Sequence, residues 1–323
     1  MTAAHTAMPI PWPAEAVWQA VAPLLPGFTV EILPETDSTN TELLRRLRRH
    51  HSAATAPAGP AEALLLVAET QTAGRGRMGR QWHSQRGASL TFSLSLPLRV
   101  GDWSGLSLAV GVSLSESLSP GAVDACAPAP VPAPARLPAR IGLKWPNDLW
   151  LVDERGERKL GGILVETATW DGLRYAVIGV GLNIAAPPDA APADPGTGTG
   201  TRTGTGTGNI APAWLQQVQG NADAAGTLLR VVPPLVADLL LFAQAGFGPF
   251  APRFAARDVL RGRTIDLSDG RSGMACGVGA NGALRLQTAH GMQDIISSEI
   301  SVRPVDRPTA QAQGPSQGNA PAC

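Results

Sequence analysis

Residues 74–82 read Gly-Arg-Gly-Arg-Met-Gly-Arg-Gln-Trp, and their flanks constrain the fold more than any other segment. Gly74, Gly76 and Gly79 satisfy a G-x-G-x-x-G spacing. A dinucleotide turn with that spacing needs a strand before it and a helix after it, with phosphate at the helix N-terminus. A strand does precede, at Leu64–Ala68, but Gln81–Gly87 has no helical periodicity. The next regular element, Thr91–Leu96, alternates like another strand. A kinase glycine loop is excluded too, because no His-Arg-Asp or Asp-Phe-Gly follows. What remains is a Gly-Arg loop between strands. Glycine lets the backbone approach a ligand closely, and arginine offers a planar fork matched to phosphate or carboxylate. Three arginines in one short turn repel each other unless an anion bridges them. The loop is therefore read as a wrap for a small anionic ligand, against the alternative of a flexible basic surface loop.

Around this loop the pattern is α+β. Ala14–Leu25 reads as a helix and Phe28–Leu33 as a strand. Asp37-Ser38-Thr39-Asn40 forms an N-cap cluster before a helix. Leu106, Val110, Leu114 and Leu118 make an i+4 ladder. Lys159–Thr169 and Leu173–Asn183 are apolar runs joined at Asp171-Gly172, a hairpin signal. A helix is expected over Leu235–Ala245, started by Pro233-Pro234 and ended by Gly246. From Arg257 the texture changes to short strands with tight turns (264–267, 273–278, 283–287 and 299–302), which suggests a small β-barrel. Two stretches, Pro120–Pro138 and the Gly-Thr-rich Ala185–Gly208, cannot bury enough apolar area to order themselves and read as loop insertions. The expected organisation is a first unit over 1–255, a small β unit over 256–304 and a disordered tail over 305–323.

Composition narrows the class. Lys+Arg and Asp+Glu are 26 each, and zero net charge argues against broad nucleic-acid binding. Cys126, Cys276 and Cys323 give neither metal spacing nor a disulfide framework, which fits a reducing cytoplasm. No signal peptide is read at the N-terminus, and the most apolar run, Leu235–Phe242, is too short for a bilayer. A soluble protein without membrane partners is expected.

Four further clusters carry chemistry, each with a plainer alternative. Lys144-Trp145-Pro146-Asn147-Asp148 packs a cation, an amide and a carboxylate around two rings. It would hold magnesium with substrate phosphates, or simply be a capped turn with Trp145 in the core. Gly161-Gly162 inside a strand suggests close approach of a ligand or another backbone. Lys159 stands just before that surface, where a lysine also readily snorkels to solvent. Asn183 either starts the next loop or reads an adenine edge. Gln71 and Ser38-Thr39-Asn40 offer polar groups that would orient a carbonyl or ureido head.

Taken in order, Asp-Ser-Thr-Asn, Gln-x-x-Gly-Arg-Gly-Arg-x-Gly-Arg-x-Trp, Lys-Trp-Pro-Asn-Asp, Lys-Leu-Gly-Gly-Ile-Leu-Val-Glu and Gly-Val-Gly-Leu-Asn-Ile resemble the biotin protein ligases over about Phe28–Arg303. The resemblance implies a class II aminoacyl-synthetase-like catalytic fold, a mixed sheet with flanking helices, and a C-terminal SH3-like barrel that includes Ser298-Glu299-Ile300-Ser301. It implies ATP, biotin and Mg²⁺, a biotinyl-adenylate intermediate, and transfer to a lysine of a biotin carboxyl carrier protein. Ser38, Thr39, Asn40 and Gln71 would hold the ureido head, and Arg75, Gly76 and Arg77 would close over the carboxylate and adenylate phosphate. Trp82 and Asn183 would meet adenine, Arg80, Lys144, Asn147 and Asp148 would serve ATP, and Asp148 the metal. Lys159 would lie beside the reacting carboxylate and α-phosphate, so that Arg77, Lys159 and Asp148 form the catalytic set. The family includes monomers and dimers, which leaves a homodimer open.

Three departures bear on these expectations. Only 37 residues precede Ser38, too few for the DNA-binding domain of bifunctional members, so a ligase alone is expected. Pro233-Pro234 interrupts a region the family makes helical, so that helix should start late or kink. Ala185–Gly208 lengthens the loop after Asn183. The rival readings are a lipoate ligase or octanoyl transferase of the same core fold and a non-catalytic biotin sensor.

Overall fold

The computed structural model describes residues 9–52, 62–119, 139–170, 172–187, 211–296 and 300–305. The 120–138 insertion, all but the start of the 185–208 insertion, the tail from 306, Asp171, Ser298 and Glu299 lie outside it.

Seven strands form the larger sheet: β1 (Thr29–Thr36), β2 (Leu64–Gln71), β3 (Ser89–Pro97), β4 (Arg140–Lys144), β5 (Asp148–Asp153), β6 (Gly156–Trp170) and β7 (Leu173–Asn183). Their order is β1-β2-β3-β7-β6-β5-β4. The β1–β2 pair is parallel and the other neighbours are antiparallel. Helices α1 (Ala14–Val21), α3 (Leu106–Leu118) and α4 (Ala224–Ala245) cover one face, and α2 (Thr39–Ser52) covers the other. The two-residue period of a strand sorts the side chains. On β2, Leu65 and Val67 enter the core under α1, α3 and α4, while Leu66 meets Leu43, Leu44 and Leu47 of α2. On β3, Leu90, Phe92, Leu94 and Leu96 take the apolar side, which turns Ser89, Thr91, Ser93 and Ser95 toward α2.

A second, five-stranded sheet follows the short helix α5 (Ala251–Ala255). It comprises β8 (Thr264–Leu267), β9 (Ser272–Val278), β10 (Leu284–Thr288), β11 (Gly291–Ile295) and β12 (Val302–Pro304), in the antiparallel order β11-β10-β9-β8-β12 of a small SH3-like unit. Its Ile265, Leu267, Ala275, Leu284 and Leu286 join the main core. The Trp145 indole N–H donates to Gly282 O at 3.1 Å, tying the two sheets together beside the site.

Several elements differ from expectation. Helix α1 stops at Val21 rather than Leu25, and the chain turns through Pro26 and Gly27, whose φ of 81° suits glycine. Strands β5 and β11 were not foreseen, and the last strand is Val302–Pro304 rather than one beginning at Glu299. Cys276 lies on β9, and Cys126 and Cys323 lie outside the described residues.

The largest correction concerns α4. It begins at Ala224, with Asp223 as N-cap accepting from the Gly226 N–H at 2.7 Å, and Pro233 and Pro234 lie inside it. A helical proline deprives the carbonyl four residues back of its donor. Those carbonyls belong to Leu229 and Arg230, both on the exposed side, where solvent can satisfy them. Meanwhile Leu228, Val231, Val232, Leu235, Val236, Leu239 and Phe242 make a continuous buried stripe against α3, α1 and the sheet. Packing of that stripe outweighs the local penalty. The helix is long and apolar enough to cross a membrane by composition, but here that apolar face is core.

Two substitutions on α4 should move stability in opposite directions. Asp223→Ala should lower the unfolding free energy by about 1 kcal/mol through loss of the cap. Pro234→Ala, at an exposed position, should raise it by about 1–3 kcal/mol by restoring a helical donor. Urea denaturation reads both, and no gain from Pro234→Ala would mean that tertiary packing has already absorbed the proline cost.

Candidate functional site

Gly179 and Gly181 of β7 lie on the floor of a cavity of about 660 Å³. Register pairs Ser93 with Gly179 and Thr91 with Gly181. A Cβ at Gly179 would lie 2.4 Å from Asn40 Oδ1, and one at Gly181 would lie 2.4 Å from the Trp82 ring. Side chains at these positions would push both groups off the sheet. The N-terminus of α2 therefore descends onto the floor, burying Ser38, Thr39 and Asn40. Gln71, at the end of β2, accepts from the Thr39 N–H at 2.8 Å and its hydroxyl at 3.2 Å. Ser93 bonds Thr39 Oγ1 and Asn40 Oδ1, each at 2.6 Å. The Asn40 amide N–H₂ donates to Leu164 O at 3.2 Å and Glu166 Oε2 at 2.9 Å. This corner is a hydrogen-bonded polar wall.

The Gly-Arg loop spans the cavity as a lid tied at several points. Gly74 and Gly76 carry backbone bonds to Trp82 and Arg80 that close its two ends. A Cβ at Gly74 would sit 2.3 Å from Trp82 O, so only glycine permits that closure. Arg75 pairs with Glu166 at 2.9 Å, and Arg77 donates to Asn147 Oδ1 at 3.2 Å. Arg80 donates to Ser301 Oγ of the second sheet. Met78 adopts a left-handed conformation, with φ 57° and ψ 36°. The Trp82 indole nitrogen is buried in a wall of the cavity, with no hydrogen-bond partner among the described residues.

The far wall is the β4–β5 hairpin. Its turn is Trp145-Pro146-Asn147 with a cis Trp145–Pro146 bond, and its register sets Lys144 directly opposite Asp148 and Asp148 opposite Gly162. Asn147 is locked to β6, its amide donating to Ile163 O at 2.8 Å. Asp148 lies 2.8 Å from Lys159 Nζ and 4.0 Å from Lys144 Nζ. Burial pushes the Asp148 carboxyl up, but Lys159 and Lys144 outweigh it and hold the group below the ordinary carboxylate range. Lys144 is drawn down to about 8, chiefly by burial, then by Lys159, Arg80 and Arg77, with Asp148 opposing. Burial likewise lowers Arg77, partly offset by Asp148. Lys159 stays with Asp148 instead of snorkelling into solvent, and the Asn183 amide reaches Lys159 O at 3.4 Å.

Ser38, Thr39, Asn40, Gln71, Arg75, Gly76, Arg77, Arg80, Trp82, Lys144, Asn147, Asp148, Lys159 and Asn183 all line this one cavity. Sequence reading missed Ser93, Glu166 and the roles of Gly179 and Gly181. Ser93 was signalled only by the serine alternation on β3, which reads equally well as a solvent face. Ser301 and Arg263, contributed by the second unit, had no local signal.

Residues 34–183 match the model of the biotin/lipoate A/B protein ligase family. The chain is 32% identical to the bifunctional ligase/repressor BirA of Escherichia coli, over 88% of this chain and 77% of that protein. It is 30% identical to the biotin–[acetyl-CoA-carboxylase] ligase of Paracoccus denitrificans, over 83% of this chain and 98% of that one. The biotin protein ligase of Aquifex aeolicus, solved with biotin and ATP, superposes with a TM-score of 0.61 at 25% identity, covering 85% of this chain and 99% of that one.

A buried ammonium costs stability. With the folded-state pKa of Lys144 near 8 against 10.5, its penalty is fully present below pH 8 and fades as pH rises toward 10.5. Lys144→Met should therefore stabilise the fold at pH 7 by up to roughly 3 kcal/mol. That gain should shrink between pH 8 and 10.5 in denaturation series, and a pH-independent gain would contradict the burial account.

Proposed function

The chain belongs to the biotin protein ligases of the biotin/lipoate A/B protein ligase family, and from that premise we propose how its cavity performs their reaction. The protein is an ATP-dependent ligase that attaches biotin to the carrier protein of acetyl-CoA carboxylase or a related carboxylase. The observation that carries our assignment of roles is the charge balance of the cavity, where Lys144, Lys159, Arg77 and Arg80 gather around Asp148. Such an excess of buried positive charge suits a polyanion.

In this reading Ser38, Thr39 and Gln71 take the ureido head in the polar corner. Asn40, whose amide is engaged by Ser93, Leu164 and Glu166, keeps that wall in shape. Arg75, Gly76 and Arg77 close over the biotin carboxylate and the nucleotide phosphate. Trp82 and Asn183 border the adenine, Trp82 with its orphaned indole N–H as a donor. Lys144, Arg80 and Asn147 serve the phosphates. Asp148 is a held anion in reach of them, and one carboxylate with substrate phosphates is a usual magnesium arrangement. Mg²⁺ bound there would offset charge on the phosphate oxygens. A cytoplasmic location goes with ATP as substrate, and residues 1–255 and 256–304 are the catalytic and SH3-like units.

The chemistry has two steps. A biotin carboxylate oxygen attacks the α-phosphorus of ATP, pyrophosphate leaves, and a mixed anhydride with AMP forms. Negative charge builds on phosphate oxygens, which the preorganised Lys159 and Arg77 stabilise. The Gly-Arg lid shields the anhydride from water. A carrier lysine then attacks the acyl carbon and AMP departs. That amine, with a solution pKa of about 10.4, must first lose a proton, and Asp148 serves in this reading either as its acceptor or as the Mg²⁺ ligand.

An apo carrier domain mixed with the protein, ATP and either biotin or lipoate should gain a biotin-sized mass at one lysine, only with ATP. A gain with lipoate alone would move the assignment to the sister enzymes. Lys159→Ala should cut biotin-dependent pyrophosphate release by roughly a hundredfold or more, and near-normal release would remove it from the catalytic set. Arg77→Gly should let the adenylate escape and label bystander lysines, and unchanged retention would refute the lid.

A further inference from the structure

Among the described residues, the Ser301 hydroxyl fastens the Gly-Arg loop to the second sheet. Ser301 Oγ accepts from the Arg80 guanidinium and lies 3.3 Å from Met78 Sδ, so its lone pair and its proton are both used. Arg80 Nη2 itself lies 3.9 Å from the same sulfur. Ser301 does not float. Its N–H donates to Ser268 Oγ and its carbonyl accepts from the Ser268 N–H, each at 3.0 Å. Ser268 follows β8 directly, and Val302, the next residue, pairs with Leu267. The hydroxyl is thus preorganised on the sheet before the loop meets it. On the loop side, Met78 is the only non-glycine among the described residues with positive φ. A left-handed conformation is unfavourable for a side chain with a Cβ and persists where contacts hold it. Here those contacts are Ser301 and Arg80.

We propose that Ser301 is a positioning residue that latches the Gly-Arg loop shut, so that the second sheet sets how long the activated intermediate stays enclosed. The inference rests on the adenylate-forming reaction proposed above. Ser301 acts through Arg80 and Met78 and takes no part in either chemical step. Its loss should therefore spare adenylate formation more than adenylate retention. Glu166 on Arg75 and Asn147 on Arg77 hold the first half of the loop without Ser301, which confines the effect to the half carrying Met78 and Arg80.

The test compares the parent with Ser301→Ala and Ser301→Thr by three readouts: biotin-dependent pyrophosphate release, escape of the adenylate scored as labelling of a bystander protein, and thermal midpoint. Ser301→Ala should raise escape by roughly tenfold, the scale of one lost hydrogen bond to a charged donor, while pyrophosphate release in the first turnover changes far less. Ser301→Thr, which keeps the hydroxyl, should restore retention. Escape equal to the parent's in Ser301→Ala, or equal escape in the alanine and threonine variants, would overturn the latch. A fall in thermal midpoint shared by both variants with no change in escape would assign Ser301 a folding role only. Absence of biotin-dependent pyrophosphate release in the parent would instead refute the underlying reaction.

Discussion

Everything in the site depends on how closely other groups can approach one strand of the sheet. Gly179 and Gly181 leave the end of β7 bare on the face where Tyr175 and Val177 pack against α2, and a Cβ at either would come within 2.4 Å of Asn40 or Trp82. Because the strand is bare there, the start of α2 and the end of the Gly-Arg loop both rest on the sheet. Between them, a strand's worth of serine hydroxyls on β3 becomes an interior surface. A glycine weakens a strand, since it adds no packing and costs conformational entropy. The cost is absorbed because β7 lies in the middle of the sheet, paired on both edges.

Charge is the second constraint. Burying Asp148 between Lys159 and Lys144 favours the carboxylate anion against the upward push of burial. The same arrangement leaves Lys144 strained electrostatically, with its pKa drawn toward 8. Taken as a folding unit this cluster is poor, because desolvation of a charge is only partly recovered by its partners. It makes sense as a site completed by substrate anions, whose charge would relieve the repulsion among the lysines and the loop arginines.

The two sheets form one working unit. The second shares the main hydrophobic core, receives the Trp145 indole N–H at Gly282, and presents Ser301 to the loop. The hairpin turn that carries Asn147 and the loop that carries Arg77 are thus each anchored partly outside the catalytic sheet.

The motifs were legible because their chemistry is local. The spacing of Gly74, Gly76 and Gly79, the Ser-Thr-Asn cap and the Lys-Trp-Pro-Asn-Asp turn each need particular residues within a few positions, so the sequence by itself determined the loop, the family resemblance and the residues that gather in the cavity. Helix α4 was misread for the opposite reason: Pro233-Pro234 is a strong local signal, and only the buried stripe from Leu228 to Phe242, with the exposed carbonyls of Leu229 and Arg230, shows why the helix runs through it. Strand β5 was hidden because Asp148 had already been read as the end of a turn, whereas it opens the strand opposite Lys144. Ser93, Glu166 and Ser301 carry no local pattern, since a serine on an alternating strand or a glutamate in an apolar run looks the same buried or exposed. Their partners lie 53, 126 and 221 residues away. Tertiary structure alone decided them, because a hydrogen bond is specified by two groups meeting in space, and sequence patterns record only neighbours along the chain.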